Sequence, residues 1–191
     1  IFINSRFNSM TTFLMIARML YDKGYQQYVD AAKIIKQDFS DVQFLLLGAI
    51  DKEYPNYVPL EIIDNDVKSG TIKYLGYNSD VLQFIKEADC IVLPTYYNEG
   101  LSRVLMEGLA MSKPIITTDI PGCKETVDDG VNGFLCKPHD TESLLSSLRK
   151  FMALTVEERK KMGYYGRKKA VAQFDVSNVI EIYDSITKKY E

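Results

Sequence analysis

The 191-residue sequence has little cysteine, a single histidine and no long apolar run, and each shortage removes a class of function. Cys90, Cys123 and Cys136 lie 33 and 13 positions apart. That is neither a zinc-ligand spacing nor an even set for a disulfide framework, so reduced thiols in a reducing compartment are expected. No stretch approaches the ~18–20 apolar residues of a bilayer crossing, and no signal peptide is visible. His139 follows Lys137-Pro138 in a loop, and the sequence indicates no Ser or Cys partner for it. It reads as a surface residue or a cap. No Asp-rich metal motif, P-loop or G-x-G-x-x-G occurs; the turn where a dinucleotide fingerprint would fall reads Gly48-Ala49-Ile50-Asp51. Charge of neither sign dominates: 23 Lys+Arg against 26 Asp+Glu give −3, which argues against a generic nucleic-acid module.

What remains is ordinary globular usage, with 46% hydrophobic, 12% aromatic and 26% charged residues. A chain of this length buries roughly 70% of its unfolded surface in one core. No internal repeat and no Pro/Gly/Ser linker divides it, so residues 1–191 are expected to form one domain. The chain begins at Ile1 rather than Met, and is read as a piece of something longer.

Short apolar runs occur at Thr12–Ala17, Val42–Gly48, Ile72–Leu75, Cys90–Pro94, Pro114–Thr118 and Gly133–Cys136. Most lack polar alternation, which suits strands covered on both faces of a parallel sheet. Between them, Tyr28, Ala31, Ala32, Ile35 and Phe39 fall on one helical face, as do Val81, Leu82, Ile85 and Ala88, and then Leu101, Val104, Leu105, Leu109 and Met111. After Pro138 the pattern is helical only. Leu144, Leu145, Leu148, Phe151 and Met152 form one stripe, Thr155-Val156-Glu157-Glu158 reads as a capping box, and Val176, Val179, Ile180, Tyr183 and Ile186 form a last stripe. This alternation predicts an α/β fold: a Rossmann-like doubly wound parallel sheet of about six strands with extra C-terminal helices.

In such sheets ligands bind beyond the carboxyl ends of the strands, which directs attention to three turns. Ala17–Gly24 (ARMLYDKG) carries Arg18 and Lys23 after the first strand. A guanidinium fork and a mobile ammonium suit a diphosphate; a solvated turn is the other reading. Pro94–Ser102 (PTYYNEGLS) follows the fourth strand. There the amides of Gly100, Leu101 and Ser102 at a helix start would make an anion site. Glu99 sits at its mouth, with Glu107 eight positions on, ~12 Å along a helix. Two acceptors so spaced suit a ligand with hydroxyls at both ends and a charged middle, although they also read as two solvated glutamates. Glycoside hydrolases need carboxylates roughly 5–9.5 Å apart across one bond, so this pair does not fit hydrolysis. The third turn, Thr117–Glu125, reads by itself as a capped helix start with Pro121 in its first turn. The thirteen tyrosines are scattered and mark no stacking platform.

These segments together resemble the donor-binding C-terminal half of a GT-B fold glycosyltransferase of the large retaining family 4, or glycosyltransferase group 1. The residues that carry the resemblance are ARMLYDKG, LGY (Leu75–Tyr77), ADCIVLPT (Ala88–Thr95), NEGLSRVLMEGLA (Asn98–Ala110), KPIITTDIPGCKETV (Lys113–Val127) and DGVNGFL (Asp129–Leu135). It covers nearly the whole chain. The wording SRVLMEGLAMSKPIITTDIPGCKE looks most like bacterial members that build capsule, O-antigen (lipopolysaccharide) or lipid-linked oligosaccharide.

The resemblance implies that Arg18 and Lys23 hold the donor's diphosphate and that Glu99 binds hydroxyls of the transferred sugar. Gly100, Leu101 and Ser102 would give backbone contacts to phosphate and sugar. Glu107 would meet the nucleotide ribose, and Gly76 and Tyr77 the base. It also implies retention, no metal or other cofactor, and a nucleoside diphosphate sugar as donor, of UDP type with a hexose or N-acetylhexosamine. The acceptor would be a glycan or a lipid-linked glycan, held by an N-terminal domain that this sequence lacks, so the fragment alone is expected to be inactive. Cytoplasmic location is expected, with peripheral contact of the full-length protein to the membrane's inner face. Arg159-Lys160-Lys161 and Arg167-Lys168-Lys169 are basic groups suited to that contact, although a solvated helix face is the plainer reading. The competing readings are a nucleotide-sugar 2-epimerase of GT-B shape, which lacks the R-x4-K plus E-x7-E combination, and a non-catalytic nucleotide-binding α/β module. Two departures stand out: Gly108 where the family usually has Ala, and Ser112 where it usually has Gly, which predicts a strained helix exit.

Overall fold

The structure, a computed structural model, describes residues 10–98, 100–177 and 180. Six parallel strands, β1 (Thr11–Ile16), β2 (Val42–Leu47), β3 (Lys73–Tyr74), β4 (Cys90–Leu93), β5 (Ile115–Thr118) and β6 (Gly133–Cys136), lie in the order β3-β2-β1-β4-β5-β6. The helices are α1 (Tyr25–Asp38), α2 (Leu60–Lys68), α3 (Leu82–Glu87), α4 (Arg103–Ala110), α5 (Thr141–Ala153) and α6 (Val156–Gln173), with short 3-10 turns at Tyr21–Lys23 and Lys124–Thr126. This is the doubly wound sheet that the apolar runs predict.

Register explains why the central strands read as unbroken apolar runs. Phe13 pairs with Phe44 and Cys90, while the next residue, Leu14, pairs with Ile91, itself opposite Ile115. Successive side chains point to opposite faces, so two cores form, one per face. On one, Phe13 stacks on Phe44 at 5.0 Å between centroids and meets Phe151 of α5 edge-on at 5.5 Å, with Tyr28 of α1 against Phe44. The Tyr28 hydroxyl donates to the carbonyls of Phe13 and Leu45, which satisfies it inside the core. On the other face α4 lies so close that a Cβ on Gly108 would stand 2.9 Å from Ile115 Cδ1 and 3.0 Å from Ile91 Cγ1. That approach accounts for a glycine in mid-helix. α6 covers α4 in turn: a Cβ on Gly163 would meet the Ser112 carbonyl oxygen at 2.0 Å. Ser112 has φ of 58°, the left-handed exit expected where the family carries glycine.

The Thr155 capping box forms, with Glu158 returning the bond to the Thr155 amide. α2 has no counterpart among the sequence-read helices, because Ile63 is its single buried residue. Of the last predicted stripe, Val176 and Ile180 are described and exposed; Val179, Tyr183 and Ile186 lie outside the described residues. The three cysteines are buried and form no disulfide, as the spacing predicts. Among the described residues no helix is long and apolar enough to cross a membrane.

Candidate functional site

The sheet reverses its winding between β1 and β4, and the crevice at that switch point is where ligands of open α/β sheets bind. A cavity of about 590 Å³ lies there. Its floor is the end of β1 (Ile16, Ala17), the end of β2 (Leu47, Gly48, Ala49) and Val81. Its polar rim is Arg18, Tyr77, Asn78, Arg103 and Glu107. Three residues singled out from separate stretches of sequence, Arg18, Tyr77 and Glu107, thus line one apolar cleft with a charged edge. The volume suits a small-molecule ligand.

Gly48 makes the floor narrow. A Cβ there would be 1.8 Å from the Ala17 carbonyl oxygen, so β1 and β2 converge only because this residue has no side chain. Its amide donates to Gly76 O and its carbonyl accepts from the Tyr74 hydroxyl. This fixes the turn in which Gly76 adopts φ of 71° and Tyr77 stands 73% exposed at the cavity mouth.

The Ala17–Gly24 turn is stitched to the loop after β4. The Asp22 carbonyl accepts from the amides of Tyr96 and Tyr97 and from the Thr95 hydroxyl. Gly24, at φ of 85°, has the Pro94 carbonyl oxygen 2.2 Å from where a Cβ would stand. The two loops are therefore bonded and packed together, and the first carries Arg18 and Lys23. Arg18 reaches the cavity rim, with Nη1 donating to Asp51 Oδ2 at 2.9 Å and the guanidinium 5.2 Å from the centre of the Tyr54 ring. Lys23 is buried, its ammonium 4.4 Å from the centre of the Tyr97 ring. The Tyr54 and Tyr97 rings meet at 6.4 Å. The scattered tyrosines are thus partly gathered: Tyr54 and Tyr97 hold the two cations on their faces, and Tyr96 stacks on His139 at 3.6 Å. The Tyr54 and Tyr97 rings, more than 40 positions apart, converge through the sheet order and meet edge-on at 64°, with cations rather than a shared flat platform on their faces. His139 is exposed with φ of 57°, in agreement with a surface role.

A second correction concerns the anion site after β4. α4 begins at Arg103, with Ser102 as its N-cap in an extended conformation, so the helix cannot start at Gly100. The Ser102 amide donates to Gly122 O at 3.0 Å and is not available to a ligand. Gly100 and Leu101 are exposed, with open space beside Gly100. The orphan amides of the first turn belong to Arg103, Val104 and Leu105, and the first two of these residues line the cavity. The positive end of the helix still faces the crevice, three residues later than expected. Glu99 lies outside the described residues. Its eight-residue spacing to Glu107 is not a spacing along one helix, since α4 starts four positions after Glu99. Glu107 is held by its i−4 neighbour, Arg103 Nε to Oε1 at 2.9 Å.

The third turn is structural, but it opens no α-helix: Pro121 precedes a single 3-10 turn at Lys124–Thr126, which has no side-chain cap, and the Gly122 amide donates to Glu125. The basic runs of α6 are partly occupied within the fold. Arg159 bonds Thr11 and the Met152 carbonyl, Arg167 bonds the Ala110 carbonyl, and Lys169 pairs with Asp128 at 2.6 Å. Among the described residues no cluster of His, Cys, Asp and Glu is arranged to hold a metal ion.

The chain resembles known proteins both in sequence and in fold. The sequence profile described as glycosyl transferases group 1 matches residues 2–169. The chain is 31% identical, over 147 residues, to the N,N'-diacetylbacillosaminyl-diphospho-undecaprenol alpha-1,3-N-acetylgalactosaminyltransferase of Campylobacter jejuni, covering 77% of this chain and 36% of that protein. It is 25% identical to the capsular polysaccharide biosynthesis glycosyltransferase CapM of Staphylococcus aureus, covering 90% and 44%. The chain thus spans less than half the length of these relatives. Among solved structures, a glycosyltransferase from Rickettsia africae superposes with a TM-score of 0.80 at 29% identity, covering 94% of this chain and 48% of that one. HepE from Anabaena, in complex with UDP, shares the fold at a TM-score of 0.82 and 20% identity, covering 94% and 49%.

Proposed function

The chain belongs to the family of glycosyl transferases group 1, and from that premise we propose that it is the donor-binding part of an enzyme that moves a sugar from a nucleoside diphosphate sugar to an acceptor. The observation that carries this reading is the shared cavity: Arg18, Tyr77 and Glu107 rim one cleft at the β1/β4 switch point, beneath the start of α4. The nucleoside enters the apolar floor beside Ala17, Gly48 and Val81, with Tyr77 at its mouth. Glu107 accepts from ribose hydroxyls. Arg18 and Lys23 hold the diphosphate, and Glu99 orients the sugar, a role the family resemblance supplies.

Breaking the sugar–phosphate bond leaves the bonding electron pair on a phosphate oxygen, adding one negative charge to a diphosphate that already carries two. Arg18, Lys23 and the positive end of α4 meet that charge with cations and dipoles already in place, the general route by which sites stabilise a developing anion. The site needs no bound metal for this step. A UDP-type donor and retention of configuration complete the proposal; the UDP complex of HepE supports the nucleotide. The name of the C. jejuni relative supports a lipid-diphosphate-linked glycan as acceptor, which would bring the whole protein to the membrane surface.

Calorimetry with UDP, GDP and ADP tests the reading. Binding of one of them, weakened roughly tenfold or more by both Arg18→Ala and Glu107→Ala, is expected for lost charge-assisted bonds. Equal binding by wild type and both variants overturns the site.

A further inference from the structure

We infer that Asp51 is a positioning residue for donor binding: its carboxylate holds one nitrogen of Arg18 so that the rest of the guanidinium is aimed at the diphosphate. The inference rests on the proposed donor site and goes one residue beyond it.

Asp51 sits in the loop between β2 and α2, two residues after Ala49 of the cavity lining, and is not itself a lining residue. Its Oδ2 takes Nη1 of Arg18 at 2.9 Å, a single contact. Its Oδ1 accepts from the Glu53 amide at 3.3 Å, which fixes the carboxylate to its own turn. Monodentate pairing leaves the other donors of a five-donor fork for a second acceptor. Tyr54, three residues on, closes one face of the same guanidinium.

The segment that carries Asp51 is itself fastened to the Arg18 turn. Tyr21 N donates to Asn56 O, Val58 N to Met19 O, and Asn56 Nδ2 to Asp22 Oδ1. Arg18 is thus paired with a loop whose backbone is bonded to the turn that carries it. Holding a flexible side chain in its binding geometry removes entropy that ligand binding would otherwise lose. A carboxylate near a diphosphate also repels it, so two opposite outcomes are physically available. Asp51 orients Arg18, and its removal weakens binding; or it competes for Arg18, and its removal tightens binding. The single bond, the second anchor on Glu53 and the stacked ring point to orientation.

The test uses this chain and whichever of UDP, GDP and ADP binds best, against the matching nucleoside. Asp51→Ala is expected to weaken the diphosphate fivefold or more and leave the nucleoside within twofold. Asp51→Asn keeps a carbonyl acceptor without the charge, and is expected to bind at least as tightly as wild type. In Arg18→Ala, adding Asp51→Ala is expected to cost nothing further, because the second residue acts through the first. Tighter binding by both Asp51 variants, unchanged binding by Asp51→Ala, or additive losses in the double variant each overturn the inference. If Arg18→Ala itself leaves diphosphate affinity unchanged, the donor site falls and the inference with it; a loss at Arg18 with none at Asp51 sinks the inference alone.

Discussion

At the scale of single residues, the chemistry that matters sits where distant segments meet. Arg18, Tyr77 and Glu107 all line the cavity; Arg18 and Glu107 were legible as a cation at a strand end and an acceptor on a helix, and Tyr77 only through the family resemblance. Asp51, Tyr54 and Tyr97 were not, since nothing local in Gly48-Ala49-Ile50-Asp51 says that β2 will lie beside β1 and bring that carboxylate to Arg18. The Ser102 amide was misassigned for the same reason: its acceptor, Gly122, is twenty positions away. The cysteines give a residue-scale prediction independent of function. Burial pushes the Cys136 thiol up to about 12 and holds Cys90 well above the ordinary thiol range. The reactive thiolate is therefore scarce at pH 8. A thiol reagent should label the native protein slowly, and all three positions promptly in guanidinium chloride; fast stoichiometric labelling of the native chain would contradict the buried assignment.

Among the elements, the strands were readable because burial on both faces leaves no polar alternation, and α1 and α5 because each buries a continuous stripe. α2 presents Leu60, Ile62 and Val67 to solvent and buries Ile63 alone; Leu60, Ile63 and Val67 do keep helical spacing, but over only nine residues. Of the three helix glycines that contact neighbours, Gly163 and Gly108 differ in kind. At Gly163 the obstacle is the Ser112 backbone carbonyl, which cannot turn aside, so Gly163→Ala should lower unfolding free energy in urea by about 1–3 kcal/mol or more. At Gly108 the nearest atoms are isoleucine side-chain carbons. There a gain of up to ~1 kcal/mol in helix propensity offsets the crowding, and Gly108→Ala should fall within about 1 kcal/mol of wild type. A larger loss at 108 than at 163 would refute the packing account.

The start of α6 adds a pH dependence. Hydrogen bonds from the Thr155 amide and hydroxyl hold the Glu158 carboxyl below its ordinary value. A group whose pKa is depressed on folding adds stability above its unfolded value, about 4.3, and loses it as pH falls through the lower folded value. Glu158→Gln should therefore flatten the decline of Tm below about pH 4.5 while changing little at pH 7 beyond the loss of the capping charge. An unchanged acid limb would show that the box forms without this linkage.

At the scale of the whole molecule, the described residues form a six-stranded sheet with its winding reversed between β1 and β4, and that reversal makes the crevice. Because the chain spans less than half the length of the C. jejuni and S. aureus relatives, binding and transfer separate at this scale. The 191 residues are expected to bind a nucleoside diphosphate and to transfer no sugar, since a donor site alone does not orient an acceptor. Sugar release or transfer by the isolated chain at a rate above solvent hydrolysis would contradict this. The most direct measurement is a crystal structure of the chain soaked with UDP, or with GDP or ADP where calorimetry selects one of those. The account predicts the base on the floor formed by Ala17, Gly48 and Val81, the ribose on Glu107, and the diphosphate between Arg18 and Lys23. A nucleotide seated elsewhere, such as the groove between α4 and α6 lined by Met106, Ala170 and Phe174, would contradict it.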